Sequence, residues 1–274
     1  MNLLRLSTAI VIFSSINFSA KAQTPVAGSS QPAQPFLFIT NTMNSEQPRH
    51  TISYAGGVGA RTEGPFGYDG VNQQAALNTY LGHRFTFIAN MGLGFANGGR
   101  TQTAQQAEVI RNFIGGKTGR GPALGIGLGI SRDWSNVKSA LSRITLAYTS
   151  PALRLSGNML FEKPFASNRD KVDFTTSLGF QHRIKGNFFA GVETIGEDLE
   201  GFWEKDEAEG GAKMLVGPSL NYRPSGSRLS FSACGGPVFY ATKSTAFGSG
   251  AMREIGRSVQ NGYSVRAALN FSLR

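Results

Sequence analysis

From His50 onward, apolar side chains alternate with small or polar ones at period two, the spacing of a strand with two unlike faces. In one segment Phe85, Phe87, Ala89, Met91, Leu93 and Phe95 alternate with Arg84, Thr86, Asn90, Gly92 and Gly94. In another, Leu124, Ile126, Leu128 and Ile130 alternate with Gly125, Gly127, Gly129 and Ser131. The last sets Tyr263, Val265, Ala267, Leu269, Phe271 and Leu273 against Ser264, Arg266, Asn270 and Ser272. The pattern predicts twelve strands, over 50–61, 74–82, 84–95, 105–115, 121–132, 139–149, 152–163, 170–183, 187–197, 211–223, 227–240 and 261–273. The least regular is 105–115, where Ala107 to Ile114 also fits a short helix in a loop.

A soluble sandwich alternates too, so period alone does not place the chain in a membrane. Two features do. The apolar faces are almost purely Leu, Ile, Val, Phe, Met and Tyr over the length that a tilted strand needs to cross a bilayer. The opposite faces hold Gly, Ser, Thr, Asn and full charges. The expected fold is all-β, a closed antiparallel transmembrane β-barrel of about 12 strands in the outer membrane of a Gram-negative bacterium. Gly116 to Arg120, Ser150-Pro151, Ile184 to Gly186 and Pro224 to Ser227 read as periplasmic turns, and 62–73, 96–104, 164–169, 198–210 and 241–260 as longer outward loops. Gly82-His83 and Asp133 to Lys138 read as short connections that also face outward.

The start of the chain adds a second kind of segment. Met1 to Arg5 is short and basic, Leu6 to about Phe18 is apolar, and Ser19-Ala20-Lys21-Ala22 supplies a small-x-small cleavage pattern. Residues 1–22 therefore read as a signal peptide for the general secretory pathway. Residues 23–49, rich in Pro, Gln, Ser and Thr, read as a flexible periplasmic lead-in to a barrel over 50–274. Within the lead-in, Phe36-Leu37-Phe38-Ile39 fits a short plug, an extra strand or a partner contact. After residue 22 no apolar run is long enough for a spanning helix.

Composition changes this picture little. The chain has 27 Lys and Arg against 17 Asp and Glu, a formal net charge of +10; loss of Arg5 and Lys21 with the signal leaves +8 (10 − 2). The charges are scattered with no Lys/Arg block, so with export the expected partners include no nucleic acid. They are outer-membrane lipids and the phosphates of lipopolysaccharide. The single cysteine, Cys234, permits no internal disulfide and reads as a small buried residue in a strand. Glu197 to Gly210 is an acidic loop in which cation binding is the alternative to a solvated charge run.

The run Val216-Gly217-Pro218-Ser219-Leu220-Asn221-Tyr222-Arg223 before a tight turn and a long alternating strand, with the terminal strand Gly262 to Leu273, resembles outer-membrane barrels of the broad phenol-degradation MetA-like and porin-like class. The resemblance is general over 50–274 and specific around 211–240. It implies the barrel fold, and the barrel-assembly machinery as a partner during biogenesis. Such barrels usually end on an aromatic residue, whereas this chain ends on Arg274 with Phe271 three positions earlier.

Barrel enzymes need a nucleophile beside a base, or an Asp/His pair. The three histidines, His50, His83 and His182, are dispersed, none in a His-x-Ser step and none with an Asp two residues away. No enzyme activity, cofactor or metal site is expected. Gly125 to Gly129 lacks the Lys-Ser/Thr ending of a phosphate loop and instead lets interior groups approach. A charge facing lipid costs about 2–4 kcal/mol near the midplane. Strand parity therefore assigns Arg84, Arg143, Arg154, Glu162, Asp173, Glu193, Lys213 and Arg266 to the lumen. Either they line a mildly basic aqueous path, making a passive channel for small solutes, or they pair across the lumen and leave a non-conducting barrel whose loops bind lipopolysaccharide or a protein.

Overall fold

The computed structural model describes residues 34–45, 50–60, 62, 66–96, 99–115, 117, 119–166, 172–199, 212–241 and 262–273. The signal segment and the acidic stretch 200–211 lie outside the described residues. Twelve antiparallel strands close into one barrel. They are β1 (His50–Ala60), β2 (Gly70–Gly82), β3 (Phe85–Ala96), β4 (Thr101–Ile114), β5 (Gly121–Arg132), β6 (Lys138–Thr149), β7 (Leu153–Pro164), β8 (Asp173–Lys185), β9 (Phe188–Glu197), β10 (Ala212–Tyr222), β11 (Leu229–Ala241) and β12 (Gly262–Leu273). Each pairs with its chain neighbours, and β1 closes on β12 from His50↔Leu273 to Ala60↔Tyr263, so no edge strand remains.

Alternation sends the large apolar residues out. Leu128, Ile130 and Leu178 are 69%, 66% and 58% exposed, and Met91, Tyr148, Phe180 and Val265 continue the belt around the barrel. Thr51, Ser53, Asn72, Asn78, Thr145, Ser177, Asn221 and Asn270 point inward and are buried. The helix considered for 107–114 is not formed. This stretch is strand, because Glu108 and Ile110 of β4 project into space left by the β5 glycines. A side chain on Gly127 would meet Ile110, and one on Gly129 would meet Glu108.

Strand parity also corrects one connection. The β2–β3 turn lies at the same end as the β4–β5, β6–β7, β8–β9 and β10–β11 turns, not with the outward loops. His83 and Arg84 are its two central residues, at φ 50° and 67°, the left-handed pair that a tight hairpin requires. His50 and Leu273 mark both chain ends of the barrel on this short-turn side.

A larger correction concerns the lead-in. Residues 34–45 are not a flexible arm outside the barrel; they fold into it. Phe36, Phe38, Ile39 and Met43 are 2%, 9%, 2% and 0% exposed. Gln34 and Asn41 clasp the base of the loop: Gln34 Nε2 donates to Asn41 O at 2.8 Å, and Asn41 N donates to Gln34 Oε1 at 3.2 Å. Of the three roles open to Phe36–Ile39, the structure shows the plug. An apolar turn surrounded by water would gain nothing from burial, whereas inside the barrel it meets apolar wall residues.

Candidate functional site

The lumen and its plug form the site. The plug rises from the short-turn side, turns at Leu37–Thr40 and returns. Near its base, Ser232 and Asn270 donate to Gln34 O at 3.3 and 3.5 Å, and Gln181 Nε2 donates to Pro35 O at 3.3 Å. At the tip, Thr40 N donates to Asn158 Oδ1 at 2.7 Å, while Asn158 Nδ2 donates to Thr40 O at 3.0 Å. On the way down, Asn41 Oδ1 accepts from Ser156 Oγ at 2.7 Å and Met43 N donates to Thr86 Oγ1 at 3.0 Å. The backbone N–H of Phe38 donates to the carboxylate of Glu193, which also accepts from Ser219 Oγ at 3.2 Å. Glu193 is fully buried, and a carboxylate out of water needs such donors.

Apolar contact completes the seat. Phe38 packs with Ile195, Leu215, Cys234 and Val238 of the wall and with Phe66 from the β1–β2 loop. Phe36 and Ile39 lie over Gly179 of β8, where any side chain would collide with both. Cys234 is buried, as expected of it. The guanidinium of Arg266 stands 4.7 Å from the centre of the Phe38 ring.

Seven of the eight residues assigned to the lumen face it. Arg143 Nε pairs with Glu108 Oε2 at 2.9 Å, deep in the wall, and its Nη1 reaches Asn158 Oδ1 at 3.4 Å. Arg154 donates to Asn221 Oδ1 at 2.8 Å and to Gln181 Oε1 at 3.4 Å, with its guanidinium 3.5 Å over the Phe189 ring. Glu162 accepts from Ser131 Oγ at 3.3 Å and stands opposite Asp173 across β7 and β8. Lys213 pairs with Glu197 at 3.6 Å. Arg84 is the exception, because it belongs to the β2–β3 turn, where its Nη1 donates to Phe113 O at 3.1 Å.

Sequence reasoning missed Glu108, Arg183 and Glu197, which face inward by the same parity. Glu108 fell in the least regular segment, and Arg183 and Glu197 sit at strand ends where alternation is too short to show. With them included, the described strands send Arg143, Arg154, Arg183, Lys213 and Arg266 inward against Glu108, Glu162, Asp173, Glu193 and Glu197. The described strands by themselves therefore send equal numbers of cations and carboxylates inward, with no basic excess.

Alongside the plug lies a cavity of about 350 Å3, lined by Phe36–Thr40, by Gln34 and Asn78 nearer the short turns, and by Gln74, Asn90, Glu162, Asp173 and Thr175 toward the long loops. Trp134, from the β5–β6 turn, and Tyr68 lie with ring centres 5.1 Å apart on the inner wall. Gly92 and Gly94 of β3 leave the room: a side chain on either would strike these rings. Burial first, and Asp69 second, push the Tyr68 phenol above its ordinary value, so it stays neutral. At the opposite rim, half-burial lowers the Arg223 guanidinium.

The histidines do not meet. His50 begins β1, with Nδ1 3.3 Å from Thr79 Oγ1; His83 is in a turn; His182 faces outward from β8. Among the described residues no three His, Cys, Asp or Glu side chains are grouped as a metal site requires.

The fold defines the class: this is a closed twelve-stranded antiparallel β-barrel. No protein-family model matches the chain, and no curated protein matches it in sequence. Among solved structures it is similar to the KdgM porin, solved in complex with disordered oligogalacturonate, with a TM-score of 0.52 and 9% identity over 82% of this chain and 99% of that one. A bacterial polysaccharide outer membrane secretin (0.41, 9% identity, 83% and 99% covered) and LpxR from Salmonella typhimurium (0.40, 11% identity, 81% and 99% covered) are more distant.

Proposed function

We propose that the protein is an outer-membrane channel for small hydrophilic solutes, closed at mid-lumen by its own segment 34–45. The belt of exposed Leu, Ile, Val, Phe and Met supports the location, because such a surface is stable against lipid and aggregates in water. The long-loop end then faces the exterior and the short-turn end the periplasm. The observation that carries the channel reading is the inner wall. Asn, Ser, Thr and Gln side chains line it from one end to the other, and the cluster of Ile195, Leu215, Cys234 and Val238 marks where Phe38 of the plug sits. A barrel built to stay solid has no need of a hydrophilic wall behind a separable loop. The KdgM porin, described with an oligogalacturonate, supports a polar passage in a barrel of this shape. The narrower resemblance to phenol-degradation MetA-like barrels adds no substrate to this reading.

The plug gives the non-conducting barrel its own support, since it occupies part of the lumen and is hydrogen-bonded to its wall. Planar-bilayer conductance separates the two. The intact protein is expected to be largely closed, and a variant lacking 34–45 to show discrete, stable steps. Silence from both, with the barrel intact by heat-modifiable gel migration, overturns the channel.

A further inference from the structure

On the outer face of the described strands, every charged side chain other than the histidines is a cation: Arg111, Arg132, Lys138 and Lys163 face out, with Lys185 exposed past the β8 irregularity at the short-turn rim, while the acidic residues of the same strands face in. Arg111 lies near the short-turn rim, its guanidinium 5.4 Å from the rings of Phe85 and Phe113. Arg132, Lys138 and Lys163 gather at the long-loop end of adjacent strands. Arg132 stands directly opposite Lys138, and Lys163 is paired with Ala140, two residues along from Lys138. Like charges facing across strands destabilise a sheet unless an anion lies between them. Asp133, next in the chain, turns its carboxylate into the β5–β6 turn to accept from Val137 N at 2.8 Å. Lys138 and Lys163 are exposed; Arg132 is held half-buried by donating from Nη2 to Thr103 Oγ1 at 2.8 Å. Directly below run Leu128, Ile130 and Leu146, all at least half exposed.

We infer that Arg132, Lys138 and Lys163 form a docking site for the phosphates of lipid A, the membrane anchor of lipopolysaccharide. Its acyl chains would lie on the apolar residues below. Charge complementarity and continuity with the apolar belt select this occupant: a free phosphate uses only the cations, and a soluble partner only part of the belt. The inference rests on the orientation proposed above, which places this end in the outer leaflet.

The test uses the full chain in detergent micelles, with bisphosphorylated lipid A, dephosphorylated lipid A and phosphatidylglycerol as probes. Lipid A is expected to bind the wild type, with Arg132→Gln/Lys138→Gln/Lys163→Gln weakening it at least about tenfold, at roughly 1 kcal/mol per surface cation. Arg111→Gln leaves binding unchanged. The exposed single changes Lys138→Gln and Lys163→Gln each give a smaller loss, which keeps the test open if the triple variant assembles poorly. Equal binding by wild type and variants, or equal binding of phosphatidylglycerol or dephosphorylated lipid A, overturns the proposal. Heat-modifiable migration and bilayer conductance of the same samples show separately whether the barrel and the channel reading stand.

Discussion

The lumen has two unlike halves. Toward the short turns, Arg154 and Arg183 lie over the Phe189 ring, at 3.5 and 5.1 Å from its centre, with Asn221 and Gln181 holding Arg154. Toward the long loops, Glu162 faces Asp173, and Glu197 stands beside them with Lys213 as its partner. The tip of the plug sits where the sign changes, with Glu193 on its backbone and Arg266 on its Phe38 ring. A set of inward charges equal in number along the described strands can therefore still be polar along the barrel axis. In the proposed channel, a solute entering from the loop side would meet carboxylates first, which would concentrate cations at the mouth, and guanidinium groups last.

The plug stands between the halves, so the largest expected effect is its removal. Deleting 34–45 joins them and converts a closed barrel into one with discrete conductance, measured in planar bilayers. A smaller change should act in the same direction. Gly179→Leu fills the space beneath Phe36 and Ile39, while the strand around it keeps its pairing. Conductance is expected to appear, and limited proteolysis to cut within 34–45. An uncut segment and a silent bilayer show that the seat tolerates the extra side chain.

Between the halves lies the buried Arg143–Glu108 pair. Removing one partner leaves an uncompensated charge, typically worth about 3–5 kcal/mol. Glu108→Ala is expected to lower barrel stability by that order, read as heat-modifiable unfolding at lower temperature or lower denaturant. Because Arg143 also touches Asn158, which binds Thr40 of the plug, the same variant should loosen the closed state. An unchanged transition means that water already reaches the pair and that the mid-lumen is wetter than its burial implies.

The outer wall was almost wholly legible in the sequence because outward-facing positions obey one rule, apolar at every second residue, and nothing local competes with it. The interior obeys several rules at once. Ile88, Ile110, Phe189, Ile195 and Leu215 point inward although they are apolar, because a plug, a folded-in loop or a glycine row awaits them. No periodicity announces such a partner. Phe36–Ile39 could be seen as an apolar interruption, but the hydrogen-bond partners of Phe38 and the adjoining Thr40 lie more than a hundred residues away, at Glu193 and Asn158. Lumen charges followed from parity where strands are regular. Parity failed at Arg84, where a two-residue turn makes β3 begin at Phe85, one position later than alternation suggests.

The smallest expected effect probes the polarity of the lumen itself. In the background lacking 34–45, Arg154→Gln with Arg183→Gln removes the positive half and keeps hydrogen-bonding side chains of similar length. Under a salt gradient, the reversal potential should move toward cation preference. Glu162→Gln with Asp173→Asn removes carboxylates at the mouth and should move it the other way. The two shifts are opposite in sign although both pairs face one continuous lumen, because each site biases the ions that pass closest to it and charges further apart than a Debye length, about 10 Å at 0.1 M salt, are screened. Raising the salt should shrink both shifts together. If both pairs moved the potential in one direction, conduction would follow a route that bypasses one of them, and the separation into an acidic mouth and a basic exit would have no bearing on what passes.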